Sequence, residues 1–555
     1  MIRSRLKNVL DGCFDQGVAE GLWTAAAAGK FTVELPKHEG MGDFATNMAL
    51  VLAGAEKKNP RELAKTIVEK LAKDSELIER LEIAGPGFIN ISLKQDVWRR
   101  LIPVIIGEGA NFGKSTIGRR RKVMVEFVSA NPTGPLSIGH GRQAILGDSI
   151  ARLLEATGHD VFREYYFNDA GRQMRVLGES TRARYLELLG EKFEFPEDGY
   201  QGEYIIDIAR SLVDEHGDAL KNHVDVKPFK EQAEKAIFKD ISRTLERMGI
   251  VFDNYFNEHS LYEDGHIDDV VAELRAKGYV YEKDNATWFK TTEFGHEQDR
   301  VIIKSSGEPT YRLPDIAYHR EKFRRNFDWL IDIFGSDHIA TIPDVLAGVK
   351  ALGYDPDKVT VVLHQFVTLT REGRQVKMST RKANFVTVDE LVDEVGLDPV
   401  RFFFMMRKAD SQLEFDLDLA TRQSQENPVY YVQYGYARLC SIVRQAGEKG
   451  IALPEFSEID ATLLTLLKEP EEIGLLKTLS SFPATLESSA LELAPHKYIY
   501  YLMELAGQLH SYYNKHKVIT DDIPLTRARL CLIMALQVVL KNGLVMVGLS
   551  APDKM

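Results

Sequence analysis

The sequence predicts a three-part protein of the α/β class. A parallel-sheet domain carrying an insertion is preceded by a small α+β unit and followed by an all-α helical bundle. Three observations predict it. Between Lys122 and Tyr166 an apolar run, a proline-bearing loop, a helical stripe and a second strand-like run follow one another, which is one βαβ crossover. Strand and helix alternate again from Trp329 to Leu363. After about residue 425 the apolar spacing is almost wholly helical. The expected boundaries are 1–115, 116–425 (with an insertion at about 180–295) and 426–555.

Each element follows from its residues. In the first unit Lys37 to Asn47, with Gly40, Gly42 and Asp43, reads as a loop or turn entering a helix. Leu63, Ile67 and Leu71 predict a helix over 60–80, and Phe88 to Leu93 alternates like a strand after Gly85-Pro86-Gly87. Lys122 to Val128 is a short, mostly apolar run suited to a buried parallel strand. Ser129 to Pro135 holds two prolines and a glycine and cannot be helix interior. Ile145, Leu146, Ile150, Leu153 and Leu154 then form a stripe ending near Gly158. Phe229, Ala233, Ile237, Ile241 and Leu245 mark a long helix after Pro228, inside the insertion.

The chain has 555 residues, 44% hydrophobic and 27% charged, which excludes a mainly disordered, collagenous or disulfide-scaffold protein. Its net charge of −12 offers no global basic field to nucleic acid. Cys13, Cys440 and Cys531 are too far apart for a Cys-x-x-Cys site, and such scarcity fits a reducing compartment. No apolar run long enough to span a bilayer and no signal peptide is read, so a cytoplasmic location is expected. Gly113-Lys114-Ser115 lacks the earlier glycine of a phosphate loop, because Glu108 stands there.

Two segments can carry chemistry. Leu136-Ser137-Ile138-Gly139-His140-Gly141-Arg142 opens a helix after a buried strand, and free N–H groups there make an anion site. His140 and Arg142 add donors. Taken alone the stretch reads equally as turn chemistry. Gly139-x-Gly141-x-x-Ala144 also fits a loose dinucleotide pattern, although a loop of about ten residues separates it from the strand. The second segment, Val376-Lys377-Met378-Ser379-Thr380-Arg381-Lys382, is a basic loop suited to clamping polyphosphate or, alone, a solvated turn.

Together these segments resemble the paired signatures of class I aminoacyl-tRNA synthetases, His-Ile-Gly-His and Lys-Met-Ser-Lys-Ser. Val125 to Pro135, Tyr166 to Gln173, Tyr200 to Tyr204, Thr310 to Tyr318, Asp410 to Asp416, Gly42 to Asn47, Asn427 to Tyr434 and Lys541 to Gly543 narrow the resemblance to the arginyl-tRNA synthetases. It covers essentially the whole chain, in order. Ser137 and Thr380 depart from the signatures, replacing a histidine and a lysine.

The resemblance implies a Rossmann-type catalytic domain, an N-terminal domain that touches the tRNA elbow and a helical anticodon-binding domain. It implies ATP-dependent ligation of L-arginine to its tRNA through an arginyl-adenylate, with Mg²⁺ accompanying ATP and no protein-bound zinc. His140, Lys377 and Arg381 are the expected catalytic residues. Ser137, Gly139, His140, Gly335, Asp337, His338, Lys377, Met378 and Ser379 are expected to bind ATP. Glu126, Asn131, Tyr311, Asp315 and Tyr318 are expected to bind arginine, whose planar guanidinium calls for rigid carboxylate acceptors. For Glu126 a buried ion pair, and for Asp315 a helix N-terminal charge, stay open as readings of the residues alone. Tyr512, Tyr513, Lys515 and Lys517 set aromatics beside cations, as unstacked bases require, while the stripe Tyr498, Leu502, Leu505 and Leu509 leaves the tyrosines open to a core role. A monomer is expected, with no membrane partner. A tRNA-binding relative without catalysis, a synthetase for another amino acid and a nucleotidyltransferase stay as alternatives.

Overall fold

Five strands run parallel in the spatial order Val359–His364, Trp329–Gly335, Lys122–Glu126, Asp160–Phe167 and Asn254–Asn257. The computed structural model describes residues 2–36, 38, 40–72, 76–169, 171–223, 225–376 and 386–555. Chain order runs outward from Lys122–Glu126 in one direction, then returns to its other side. The crevice beyond the carboxyl ends of Lys122–Glu126 and Trp329–Gly335 is therefore the switch point where such sheets bind ligands. Val123, Met124 and Val125 are fully buried, as a central parallel strand requires.

The helix Ile138–Ala156 returns from the first strand and packs on the sheet at very short range. A Cβ on Gly147 would lie 2.2 Å from Cγ of Phe127. Only glycine lets the helix carrying the first signature sit this close. At its inner end Gln143 donates to the carbonyl of Ile333, and Ser149 donates to the sulfur of Met405 at 3.0 Å.

The expected insertion at 180–295 is not one block. Three helices, Arg172–Leu188, Glu203–His216 and Lys227–Arg247, leave the sheet, but Asn254–Asn257 rejoins it as an edge strand. Four residues flanked by asparagines carry too little apolar pattern to be read as a strand. A second excursion holds the antiparallel strands Val280–Lys283, Ala286–Phe289 and Arg300–Ile303. A small sheet pairs Val367–Arg371 with Leu413–Asp416 and Arg374–Gln375.

The N-terminal sheet is antiparallel, in the order Val33–Glu34, Phe44–Thr46, Phe88–Leu93, Ile78–Ala84. Phe44–Thr46 lies in the segment read as loop, and the helix expected over 60–80 ends at Ala72. Gly42 has φ +89, and a Cβ there would meet the Ile91 carbonyl oxygen at 2.9 Å, so this turn excludes other residues. The C-terminal bundle is Pro428–Glu448, Pro470–Leu491, Pro495–Lys515 and Ile523–Met546. It grips the N-terminal part directly: Lys477 pairs with Asp43, Arg99 donates to the Leu467 carbonyl at 2.9 Å, and Asn542 donates to Gly109 at 2.8 Å.

Ile523–Met546 overturns the reading that no segment could span a bilayer. It has 24 residues and a window of mean hydropathy 1.6, which suffices by length and composition. Here it is a core helix, with Ala528, Leu532, Leu536 and Leu540 fully buried.

Gly147→Ala is expected to destabilise the protein by about 1–3 kcal/mol through overpacking against Phe127. Thermal unfolding of the variant checks this, and an unchanged Tm would mean the helix can lift away.

Candidate active site

The first signature is built around a helix cap. Ser137 has extended backbone, φ −75 and ψ 165, and its Oγ accepts from the His140 backbone N–H at 3.4 Å. The His140 ring reciprocates, its Nδ1 accepting from the Ser137 N–H at 3.2 Å. This is a capping box with histidine in the place usually held by glutamate. It also sets the tautomer: Nδ1 accepts, so the proton sits on Nε2. Burial pushes His140 down to about 4, against the opposing pull of Asp337. At neutral pH His140 is an uncharged Nε2–H donor. Ser137, expected to touch ATP, is engaged here as the N-cap, a task for which a hydroxyl is well suited.

Arg142 does not face an anion, contrary to the reading of the signature. It is fully buried, and its guanidinium donates to the carbonyls of Gln365 at 2.6 Å and of Lys408 and Ser411 at 2.9 Å each. It braces the signature helix against the strand pair that leads to the second signature.

The second signature itself, with Lys377, Met378, Ser379, Thr380, Arg381 and Lys382, lies outside the described residues. Its flanks are described. The Val388 N–H donates to the Leu136 carbonyl at 2.9 Å, Thr387 bridges to Ser137, and a Cβ on Gly141 would meet Val388 at 2.6 Å. Two segments about 250 residues apart in sequence are thus joined by backbone hydrogen bonding.

At the neighbouring strand end Gly335 pairs in register with His364. Asp337 folds back over Gly335, and the His338 ring lies against Phe334 with centroids 5.4 Å apart. Asp337 and His338 are exposed. Asp337 and His364 both act on His140 or each other, so these residues line one nook. Burial pushes His364 down to about 4 as well.

The acidic part of the site lies along the same edge. Glu126, 2% exposed, ends the central strand, and opposite it in register is Asp332. Lys322, fully buried on the helix Arg312–Arg324, contacts Glu126 Oε2 and, at 2.6 Å, Asp332 Oδ1. Ser129 donates to Glu126 Oε1 at 2.9 Å. Val128 and Ser129 hold left-handed backbone, φ 70 and 41, which is costly for a β-branched residue and aims the hydroxyl back at the strand end. Asn131 Nδ2 donates to Gln173 at 2.6 Å, and Tyr204 donates to the Thr133 carbonyl at 2.6 Å, so the excursion helices hold this loop.

Asp315 sits on the same helix as Lys322 and is half-buried. Burial raises it to about 7, and the neighbouring carboxylates Glu258 and Glu126 add to the rise against His319 and Lys322. Glu258, 7% exposed at the end of the edge strand, is also raised, mainly by burial. Tyr166 Oη faces it without a hydrogen bond of ordinary length. Tyr318 is buried and already donates to Glu164 at 3.1 Å, so it forms a wall rather than a free donor. Tyr311 is 83% exposed at the mouth. Most other buried carboxylates have cations: Glu164 has Arg325, Asp148 has Arg401, Asp344 has Arg312, and Glu472 has Arg529, while Asp169 accepts from the His259 backbone N–H at 3.1 Å. Among the described residues Asp315 and Glu258 make no salt bridge.

On the C-terminal bundle Tyr430 and Tyr434 stack with centroids 5.8 Å apart, and the Arg438 guanidinium lies 3.7 Å from the centre of the Tyr513 ring. Lys517 is exposed, and Lys515 pairs with Glu471 at 2.8 Å. Tyr512 is withdrawn from the expected RNA face: it is fully buried and donates to Glu472 at 3.3 Å.

Comparison with known proteins bears on this site. Residues 2–93 match the arginyl tRNA synthetase N terminal domain, 102–410 the catalytic domain of class I tRNA synthetases (R), and 432–555 the DALR anticodon binding domain. An arginine–tRNA ligase of Desulfotalea psychrophila is 73% identical over 555 residues, covering all of both chains. The chain belongs to the arginyl-tRNA synthetase family. A ligase of the same name from Citrifermentans bemidjiense is 49% identical over 558 residues, covering 100% of this chain and 99% of the relative. The arginyl-tRNA synthetase of Thermus thermophilus, 22% identical with TM-score 0.75 over the full length of both, shares the fold.

Lys322, Glu258, His364, Tyr430, Tyr434 and Arg438 carry no role in the sequence reading. Tyr430, Tyr434 and Arg438 were visible as a spacing of four on one helix face. Glu258 and Lys322 had no such signal, because only the tertiary fold brings them to the site.

Arg142→Met is expected to cost about 3 kcal/mol or more, since three carbonyls lose their donor at once. A drop in Tm checks it. Full stability with lost activity would instead place the guanidinium on a ligand.

Proposed function

We propose that this site performs its family's reaction, with the arginine guanidinium held by Asp315 and Glu258 and the triphosphate held at the Ser137–His140 helix start. The chain is a ligase that aminoacylates tRNA with arginine, using ATP. The observation that carries the assignment of the pocket is that half-buried Asp315 feels the charge of buried Glu258, and that neither carboxylate makes a salt bridge among the described residues. Buried carboxylates ordinarily have cations, and here the substrate supplies one. A fork of guanidinium donors satisfies acceptors that a lysine ammonium would leave partly unpaired.

The arginine carboxylate attacks the α-phosphate of ATP, the bond to the β-phosphate oxygen breaks, and pyrophosphate leaves. The arginyl group then passes to a ribose hydroxyl of the terminal adenosine of tRNA, and AMP leaves. Such chemistry depends on in-line positioning and on neutralising the departing phosphates. His140 Nε2–H and the free N–H groups of the helix start donate to the triphosphate. Lys377 and Arg381, by family resemblance, are the cations assigned to the departing phosphates, and Met378 and Ser379 are assigned to ATP binding. Gly335, Asp337 and His338 line the nucleoside side, and Asn131, Tyr311 and Tyr318 shape the arginine side. Mg²⁺ entering with ATP would be held largely by phosphate oxygens and water and would supply charge neutralisation on the phosphates. The one described grouping of ligand atoms, Glu469, Glu471 and His516, lies in the C-terminal bundle, where Lys515 already pairs with Glu471. We assign it no ion, and no zinc site is part of this reading.

The stacked Tyr430 and Tyr434, with Arg438, Tyr513 and Lys517, make the face we assign to unstacked tRNA bases. The three divisions 1–115, 116–425 and 426–555 then serve elbow, chemistry and anticodon. We read the protein as a cytoplasmic monomer.

Asp315→Asn is expected to raise the KM for arginine tenfold or more in tRNA-dependent pyrophosphate exchange while leaving that for ATP within about twofold. Equal damage to both in a folded variant overturns the pocket. The wild-type KM for arginine should also depend on pH. Below about 7 the Asp315 carboxyl holds its proton and cannot meet a cation, so KM falls as pH rises through that value. Tyr513→Ala should weaken tRNA binding by about 1–3 kcal/mol, the loss of one stacking partner, without changing the KM for arginine. Filter binding at fixed salt reads it, and unchanged affinity would remove Tyr513 from the RNA face.

A further inference from the structure

The helix Arg312–Arg324 brings Asp315, Tyr318, His319 and Lys322 onto one face, spaced three and four apart. Lys322 is the deepest of them, fully buried. Its ammonium touches Glu126 from one central strand and Asp332 from the next, and lies 4.4 Å from the centre of the Tyr318 ring. His319 closes the other side, with Nε2 2.9 Å from Asp332 Oδ2 and Nδ1 2.8 Å from the Asp315 carbonyl. Every oxygen of the two carboxylates is thereby engaged: Glu126 by Lys322 and Ser129, Asp332 by Lys322 and His319. Burial alone would lower the Lys322 ammonium, but Asp332 and Glu126 hold it above its ordinary value. Asp332 is held well below the usual carboxylate range by Lys322 and His319 despite its burial.

We propose that Lys322 is a positioning and specificity-determining residue of the arginine site, a built-in ammonium that takes up the charge of Glu126 and Asp332. It fills the ammonium-sized gap between the two strand ends, so a substrate cation is directed to Asp315 and Glu258. It also ties the helix bearing Asp315 to both central strands, setting where that carboxylate stands. Under this proposal Glu126, expected to bind arginine, acts on the substrate through Lys322. The proposal rests on the arginine pocket assigned above.

Removal of the cation leaves two carboxylates facing each other in a buried site, so Lys322→Ala is accompanied by Lys322→Gln/Asp332→Asn, which replaces the ion pair with neutral amides of similar length. Both are assayed by tRNA-dependent pyrophosphate exchange, with Asp315→Asn alongside and circular dichroism to establish folding. The expected result for the double variant is a KM for arginine at least tenfold higher, with the KM for ATP within about twofold. In Lys322→Ala, added n-propylammonium should lower the KM for arginine again, since it restores an ammonium in the vacated space; propanol should not. An unchanged KM for arginine in the folded double variant overturns the proposal, as does an equal rise in both KM values. Failure of Asp315→Asn to affect arginine would overturn the pocket itself, a result distinguishable from failure of Lys322 alone.

Discussion

A single buried ammonium joins the three elements on which the rest of this site depends. Lys322 stands between Glu126 and Asp332, the ends of adjacent parallel strands, and hangs the Arg312–Arg324 helix from both. Two carboxylates in water-free register cannot both be ionised without such a cation. Given the cation, their oxygens are engaged, the strand ends are fixed, and the helix presents Asp315 toward Glu258. Most buried acids are neutralised from within by such cations, whereas Asp315 and Glu258 make no salt bridge among the described residues.

The same economy governs the nucleotide end. Ser137 and His140 cap each other, so the departure from the first signature at Ser137 satisfies the helix start rather than weakening it. The cap also fixes the imidazole tautomer, leaving a neutral Nε2–H donor at the helix start. Arg142 supplies rigidity in place of charge, and the Leu136 to Val388 hydrogen bond holds the second signature's trailing flank against the first. The helix-bearing excursion contributes too: Tyr204 and Gln173 clamp the loop whose left-handed Val128 and Ser129 would otherwise relax.

The bundle is integral to the rest. Lys477, Asn542 and the Leu467 carbonyl meet the N-terminal unit and its following helices, so the two ends of the chain are mechanically connected. Ile523–Met546 shows how apolar a central helix becomes when most of its length is buried.

Much of the architecture was legible in the residues. Apolar periodicity placed the central strand, the signature helix, the long helix after Pro228 and the C-terminal bundle, because these elements are long or wholly buried. The short edge strand Asn254–Asn257 and Phe44–Thr46 were missed, since three or four residues are too few to carry a pattern. The signature residues were recognisable because a helix start and its glycines are local features. What the sequence determined alone was the fold class, the family resemblance and the candidate set. Only the tertiary structure decided how those candidates are used: Ser137 as a cap, Arg142 as a brace, Tyr512 as core, Tyr318 engaged by Glu164. The pairing of Lys322 with Glu126 joins residues 196 positions apart. No local periodicity encodes a contact of that range; it exists only once the sheet has brought the strand ends to one edge and burial has made each unpaired charge costly.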